Sequence, residues 1–123
     1  MQLLLDTHII VWIVLNDSRL SDAQRRALED PENAILVSPV TAYELTQLQK
    51  TRRIPLSEPI DRLGDLIGFA LVDLPQDIWR VVTDLPDIHR DPVDRMLIAH
   101  ALSEGMTLVT ADANIRRYPV SCL

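Results

Sequence analysis

Gln2-Leu3-Leu4-Leu5-Asp6-Thr7-His8 decides how the rest of the chain is read. Three leucines in a row, with no polar residue between them, suit a strand covered on both faces, as in a parallel sheet with helices above and below. Periodicity alone leaves a buried helix open, so a central strand at Leu3–Leu5 is an expectation. A carboxylate directly after such a run sits where the strand leaves the core. In open α/β sheets the carboxyl ends of the strands are where ligands bind, which makes Asp6 the reference point for every other acid.

Working outward, Ile9 to Leu15 reads as a short helix packed on the sheet and closed by the loop Asn16-Asp17-Ser18. Ser21 is an N-cap for a helix to Glu29, with Ala23, Ala27 and Leu28 at helical spacing and Arg25 and Arg26 outward. After the turn Asp30-Pro31-Glu32-Asn33, Ala34 to Val37 is a second buried strand. Ser38-Pro39 combines an N-cap with a proline at the first helical position, predicting a helix to about Thr51 with Glu44 near its second turn. Ser57-Glu58-Pro59 opens a helix carrying Ile60, Leu63, Leu66, Ile67 and Leu71 on one face. Gly64 and Gly68, four apart in that helix, leave room for a neighbour's close approach. A short strand at Leu71–Leu74 precedes a helix from Pro75 to about Leu85 with Ile78, Trp79 and Val82 inward. Pro86 to Arg90 is a loop, Asp91-Pro92 starts a helix to Glu104, and Gly105 stops it. Thr107 to Thr110 is the next strand, Asn114 to Arg117 a single turn, and Val120 to Leu123 a final edge strand. Alternating strands and helices without a linker predict one domain, residues 1–123, folded as a three-layer α/β/α sandwich around a mostly parallel sheet of four to five strands.

A chain of 123 residues, 47% hydrophobic and 24% charged, suffices for one packed domain and not for two of ordinary size. No apolar run reaches the roughly 18 to 20 residues of a membrane span, and no signal-peptide pattern opens the chain. A soluble, cytoplasmic protein is expected. The single Cys122 cannot pair internally and fits a reducing compartment. A net charge of −6 argues against a nucleic-acid partner until its distribution is considered. With Asp6, Glu44, Asp91, Asp94 and Asp112 set aside as one site, the remaining 13 of the 18 acids nearly balance the 12 basic residues. All of those but Lys50 are arginine, which suits bidentate phosphate contacts.

Asp6 and Asp112 each follow an apolar strand, so in parallel neighbouring strands their carboxylates emerge at one edge. Either alone is an ordinary turn or cap residue. Asp91 and Asp94 lie on one face of a helical first turn, where capping and the helix dipole also favour acids. Glu44 is not needed to start its helix, since Ser38-Pro39 does that, and it stands near the same sheet edge as Asp6. Carboxylates held together raise one another's pKa unless a cation lies between them. Oxygen-only ligands select Mg²⁺, with Mn²⁺ as a substitute, over zinc. His8, His89 and His100 show no metal-ligand spacing and read as structural or surface residues, with His8 kept as a substrate contact. Thr7 and Thr110 flank the acids and are candidates to bond carboxylates, bound waters or substrate. Arg95 is a candidate either to pair with an acid or to face a substrate phosphate, and Arg90 a candidate for the latter. Trp12 and Trp79 read as core.

Leu3-Leu4-Leu5-Asp6-Thr7-His8, Val37-Ser38-Pro39-Val40-Thr41-Ala42-Tyr43-Glu44-Leu45, His89-Arg90-Asp91-Pro92-Val93-Asp94-Arg95-Met96-Leu97-Ile98-Ala99 and Leu108-Val109-Thr110-Ala111-Asp112, in that order, resemble a PIN-domain protein. More narrowly, the chain resembles the VapC type of toxin from bacterial toxin–antitoxin pairs, over essentially its whole length. The resemblance implies a metal-dependent ribonuclease with Asp6, Glu44, Asp94 and Asp112 as its acids. Asp94 takes the third place because it precedes the Met-Leu-Ile-Ala run, and Asp91 becomes an auxiliary ligand or a cap. It also implies a homodimer, a VapB-like antitoxin that covers the site, a larger assembly with that antitoxin, and an RNA substrate such as tRNA or rRNA. An apolar groove between the helices spanning Ile9–Leu28 and Pro39–Leu71 is the expected antitoxin surface.

A phospho-acceptor receiver domain has a similar length and acids at strand ends. It wants adjacent acids after the first strand and a lysine after the last core strand; Asp6 stands alone, and Lys50 lies elsewhere. A haloacid-type phosphatase wants an Asp where His8 stands. A PIN-like module that binds without catalysis is the third alternative. With no histidine pair to activate a ribose 2′-hydroxyl, hydrolysis by water is expected, leaving a 5′-phosphate and a 3′-hydroxyl.

Overall fold

The computed structural model describes every residue from Met1 to Leu123. Four strands, β1 (Gln2–Leu5), β2 (Ala34–Val37), β3 (Ala70–Leu71) and β4 (Thr107–Val109), form one parallel sheet in the order β3-β2-β1-β4. Leu3, Leu4 and Leu5 are all fully buried, as the unbroken run requires. Leu3 and Leu5 join one core with Ile9, Ile10, Leu45 and Leu63, whereas Leu4 joins another with Leu97, Ile98 and Leu108. The strand's alternation therefore feeds both faces of the sheet, and three layers result.

Six helices cover those faces: α1 (Thr7–Leu15), α2 (Asp22–Glu29), α3 (Pro39–Lys50), α4 (Ile60–Ile67), α5 (Ile78–Asp84) and α6 (Pro92–Glu104). Local chemistry sets most of their ends. Ser38 Oγ accepts from Val40 N at 3.1 Å ahead of Pro39, and Asp91 Oδ1 accepts from Val93 N and Asp94 N ahead of Pro92. Gly105, at φ +63°, ends α6 in the left-handed conformation that glycine tolerates. Ser21 and Gln24 bond reciprocally at the head of α2, closing a capping box.

Beyond β4, Ser121–Leu123 runs alongside it through Leu108 N to Ser121 O at 2.8 Å and Leu123 N to Leu108 O at 2.9 Å. A single parallel bridge pairs Leu108 with Cys122, so the expected edge strand is present only as this short segment.

Several side chains depart from the expected pattern. Trp79 is 60% exposed, because α5 is only two turns long and turns Ile78 toward the core. The Arg80 guanidinium lies 4.7 Å from its ring and covers part of it. In α2 the buried residue is Gln24, whereas Ala23 is exposed. Leu66 is exposed on α4, and Leu71 belongs to the exposed edge strand β3. Gly64 does face a close neighbour, since a Cβ there would meet the Phe69 ring at 3.2 Å, but Gly68 serves as the C-cap of α4 at φ +87°.

Candidate functional site

The register of β1 against β4 builds the site. Leu5 pairs with Val109, and Asp6 N donates to Val109 O at 3.0 Å, so Asp6 and Thr110 leave the sheet side by side. Asp6 caps α1, its Oδ1 accepting from Thr7 N at 2.8 Å, while its Oδ2 accepts from Thr110 Oγ1 at 2.7 Å. The Thr7 hydroxyl donates to Glu44 Oε1 at 2.6 Å. One residue thus bonds Asp6 through its backbone and Glu44, in the second turn of α3, through its side chain. Thr41 Oγ1 donates to Leu5 O at 3.1 Å and fixes the first turn of α3 over the end of β1.

Asp112 is tied to the same place. Its backbone N donates to Thr110 Oγ1 at 3.0 Å, and its Oδ1 accepts from Asn114 N at 2.7 Å, starting the 3₁₀ turn Ile115–Arg117. Asp94, one turn into α6, accepts from His89 Nε2 at 3.1 Å on Oδ2. Asp91 is exposed and uses Oδ1 as the helix cap.

The electrostatics record the convergence. Burial pushes the Asp94 carboxyl up to about 6; the His89 hydrogen bond opposes that, and the charges of Asp91, Asp6 and Asp112 add to it. Asp6 is also raised, by burial first and by Asp112 in smaller part, against the hydrogen bonds from Thr110 and Thr7 and the charge of His8. The charges of Asp6 and Asp112 thus reach Asp94, and that of Asp112 reaches Asp6. The donor set is all oxygen and suits a hard divalent ion rather than zinc. As the side chains stand, no three His, Cys, Asp or Glu groups close to ligand distance around one point. The fit is one of donor chemistry and of a repulsion that a cation would reverse.

The expected substrate contacts divide. Thr7 and Thr110 are 1% and 0% exposed and spend their hydroxyls on carboxylates, so they orient acids and offer substrate no surface. Arg95 is also committed, its guanidinium donating to Pro86 O at 2.8 Å, Tyr118 Oη at 3.0 Å and Val82 O at 3.3 Å. Those bonds hold its Nη1 and Nη2 against Tyr118 and the carbonyls at the carboxyl end of α5. Arg90 is exposed beside an open cleft of about 650 Å³ lined by Asp87, Ile88, His89, Arg90 and Arg95. Arg116 and Arg117 are exposed after Asp112, with Arg116 also donating to Thr110 O at 2.7 Å. His8 is exposed next to Asp6, its ring 6.5 Å from that of Trp12.

Sequence reasoning left His89 as a structural or surface residue and missed its bond to Asp94, which forms only when the loop folds back. It also missed Gln24, whose Nε2 donates to Thr110 O at 3.2 Å and Leu123 O at 3.1 Å, holding the end of β4 from below. Ser21-x-x-Gln24 was a visible capping box, but the second pair of bonds spans most of the chain and leaves no local trace.

The PIN domain family pattern matches residues 3–120. Ribonuclease VapC22 of Mycobacterium tuberculosis is 29% identical over 120 residues, covering 94% of this chain and 90% of that protein. Among solved structures, VapBC2 from Rickettsia felis bound to a DNA fragment from its promoter aligns with a TM-score of 0.72 at 20% identity, covering 100% of this chain and 98% of the other. The sarcin-ricin loop cleaving toxin VapC20 of Mycobacterium tuberculosis aligns with a TM-score of 0.62 at 14% identity, covering 94% and 93%. These two likenesses concern the fold alone. Because the family pattern spans nearly the whole chain and the ordered acid-bearing motifs lie within it, the chain belongs to the PIN-domain family and is a homologue of VapC-type ribonuclease toxins.

Proposed function

We infer that this protein is a divalent-metal-dependent endoribonuclease acting in the cytoplasm as the toxin of a toxin–antitoxin pair. The observation that carries the reading is the convergence of acids from different elements: the Thr110 hydroxyl bonds both Asp6 and the backbone of Asp112, Thr7 joins Asp6 to Glu44, and the charges of Asp6 and Asp112 help to raise Asp94. Asp6, Glu44, Asp94 and Asp112 would hold Mg²⁺ or Mn²⁺, with Asp91 as an auxiliary group. A bound ion of this kind polarises a phosphodiester oxygen and lowers the pKa of a water. Thr7 and Thr110 hold the acids in place before substrate arrives, which limits reorganisation during the reaction. Arg90 and Arg117, exposed and close in sequence to Asp91 and Asp112, are suited to RNA phosphates. Attack by water in line with the leaving 3′-oxygen gives a 3′-hydroxyl and a 5′-phosphate.

Two surfaces support the expected partners. A groove of about 490 Å³ between α1, α2 and α4, lined by Ile13, Val14, Leu20, Leu28, Leu66 and Ile67, suits the apolar face of an antitoxin helix. Solved relatives of this fold include DNA-bound VapBC assemblies from Rickettsia felis and Salmonella typhimurium, the latter with a TM-score of 0.66 at 19% identity and covering 100% of this chain and 97% of the other. A second apolar face, with exposed Tyr43 and Trp79 flanking Pro92, Val93 and Met96, suits a second copy of the chain. No helix is long and apolar enough to cross a membrane.

The test is cleavage of structured RNAs by the purified protein with Mg²⁺ and with a chelator, using Asp6→Ala and Glu44→Ala as controls. Cleavage that needs the ion and both acids, with 5′-phosphate ends, supports the reading. RNA binding without cleavage would return the protein to the binding-only class.

A further inference from the structure

The loop between α5 and α6 carries a chain of hydrogen bonds that ends on Asp94. Arg95 Nη1 donates to the Tyr118 hydroxyl oxygen at 3.0 Å, and His89 N donates to the same oxygen at 3.2 Å. A phenol oxygen that accepts twice has its own proton left to give. Its nearest acceptor is His89 Nδ1 at 2.7 Å, well inside the 3.4 Å to His89 O. An imidazole that accepts at Nδ1 in its neutral form carries its proton on Nε2, and His89 Nε2 lies 3.1 Å from Asp94 Oδ2.

The geometry points to Tyr118 as a positioning residue that fixes His89 in the Nε2–H tautomer, so that His89 donates to Asp94 Oδ2 and leaves Oδ1 free of that bond. Its surroundings suit that task. Tyr118 is 4% exposed, its ring stands edge-on to His89 at 5.4 Å, and Arg95 is itself anchored on the carbonyls of Val82 and Pro86. The carboxyl end of α5, the segment after the 3₁₀ turn and the first turn of α6 are thereby locked around a single carboxylate. The role resembles the carbonyl or carboxylate that orients a metal-binding histidine, with the order of groups reversed. It deepens the nuclease reading and rests on Asp94 being a site acid.

Two measurements test it. Long-range proton–nitrogen NMR on the metal-free protein, at a pH where His89 is neutral, should find the Nε2–H form in the wild type and a mixture in Tyr118→Phe. In RNA cleavage, Tyr118→Phe should lower kcat about 10-fold with KM unchanged. His89→Gln places an amide donor at the reach of Nε2 with no tautomer to choose; it should exceed His89→Ala in kcat, and adding Tyr118→Phe to it should cost nothing further. An Nδ1–H form in the wild type overturns the proposal. Equal losses from Tyr118→Phe in the wild-type and His89→Gln backgrounds overturn it as well, because they would mean that the phenol acts only by holding the loop. If the wild type cleaves no RNA, the nuclease reading fails and the NMR comparison alone decides this one.

Discussion

Thr110 and Asp6, 104 positions apart, are joined by a 2.7 Å hydrogen bond from the threonine hydroxyl to Asp6 Oδ2. Thr110 is fully buried and Asp6 is 8% exposed, so neither group has ready water as a substitute partner. The same hydroxyl oxygen accepts from Asp112 N. One side chain thus joins the acid that ends β1 to the acid that follows β4.

Thr110→Val keeps the shape and removes both bonds. A hydrogen bond to a charged group contributes about 1.5 to 3 kcal/mol, and an orphaned backbone N–H adds to the loss. Urea unfolding at pH 7 should show about 2 kcal/mol less stability, with Thr110→Ser close to the wild type. Equal midpoints for Val and the wild type would mean that the bond contributes nothing.

The acids set a pH dependence whose sign follows from the direction of their shifts. Asp94 is pushed up to about 6 in the folded chain and Asp6 is also raised, both from an ordinary value of 3.8. Between those values the folded chain holds protons that the unfolded chain has lost. The stability they contribute is complete below the unfolded value and disappears as pH rises through the folded one. Metal-free protein should therefore lose stability between about pH 4 and pH 7 at this site. Asp94→Asn should remove much of that slope, match the wild type near pH 4 and exceed it by about 1 to 2 kcal/mol at pH 7.5, after allowing for solvent screening. Denaturant titrations at the two pH values check this, and a variant less stable than the wild type at pH 7.5 would contradict it.

Leu66 stands 59% exposed on the lip of the groove between α1, α2 and α4. A carboxylate there would be buried unpaired beneath an apolar helix. Leu66→Asp should weaken antitoxin capture by at least about 30-fold, the scale of an interface hot spot, while RNA cleavage persists. Copurification with the antitoxin and a parallel cleavage assay separate these effects; unchanged capture would place the antitoxin elsewhere.

What could be read in advance was local or periodic. Leu3–Leu5 announced a doubly covered strand, Ser38-Pro39 and Asp91-Pro92 announced helix starts, and Gly105 announced a stop, because each signal lies within a few residues. The acids after β1 and β4 could be paired because parallel neighbouring strands deliver their ends to one edge. The clamp around Asp94 could not. His89 meets Tyr118, and Gln24 meets Leu123, only after the sheet has brought distant segments together. Arg95 illustrates the same limit. Its neighbours in sequence suggested an acid or a phosphate as partner, whereas Tyr118 and the carbonyls at the end of α5 hold its Nη1 and Nη2. Trp79 turned outward because apolar character alone does not choose between two adjacent positions on a two-turn helix.

The central claim is that acids from distant parts of the chain make one cation site. Titration calorimetry of Mn²⁺ into metal-free protein at pH 7.5 tests it most directly, with Asp6→Asn and Asp94→Asn measured alongside. Saturable binding by the wild type, weakened at least about 10-fold by either substitution, is the predicted result. Binding of equal strength in all three proteins, or none in the wild type, would contradict the account.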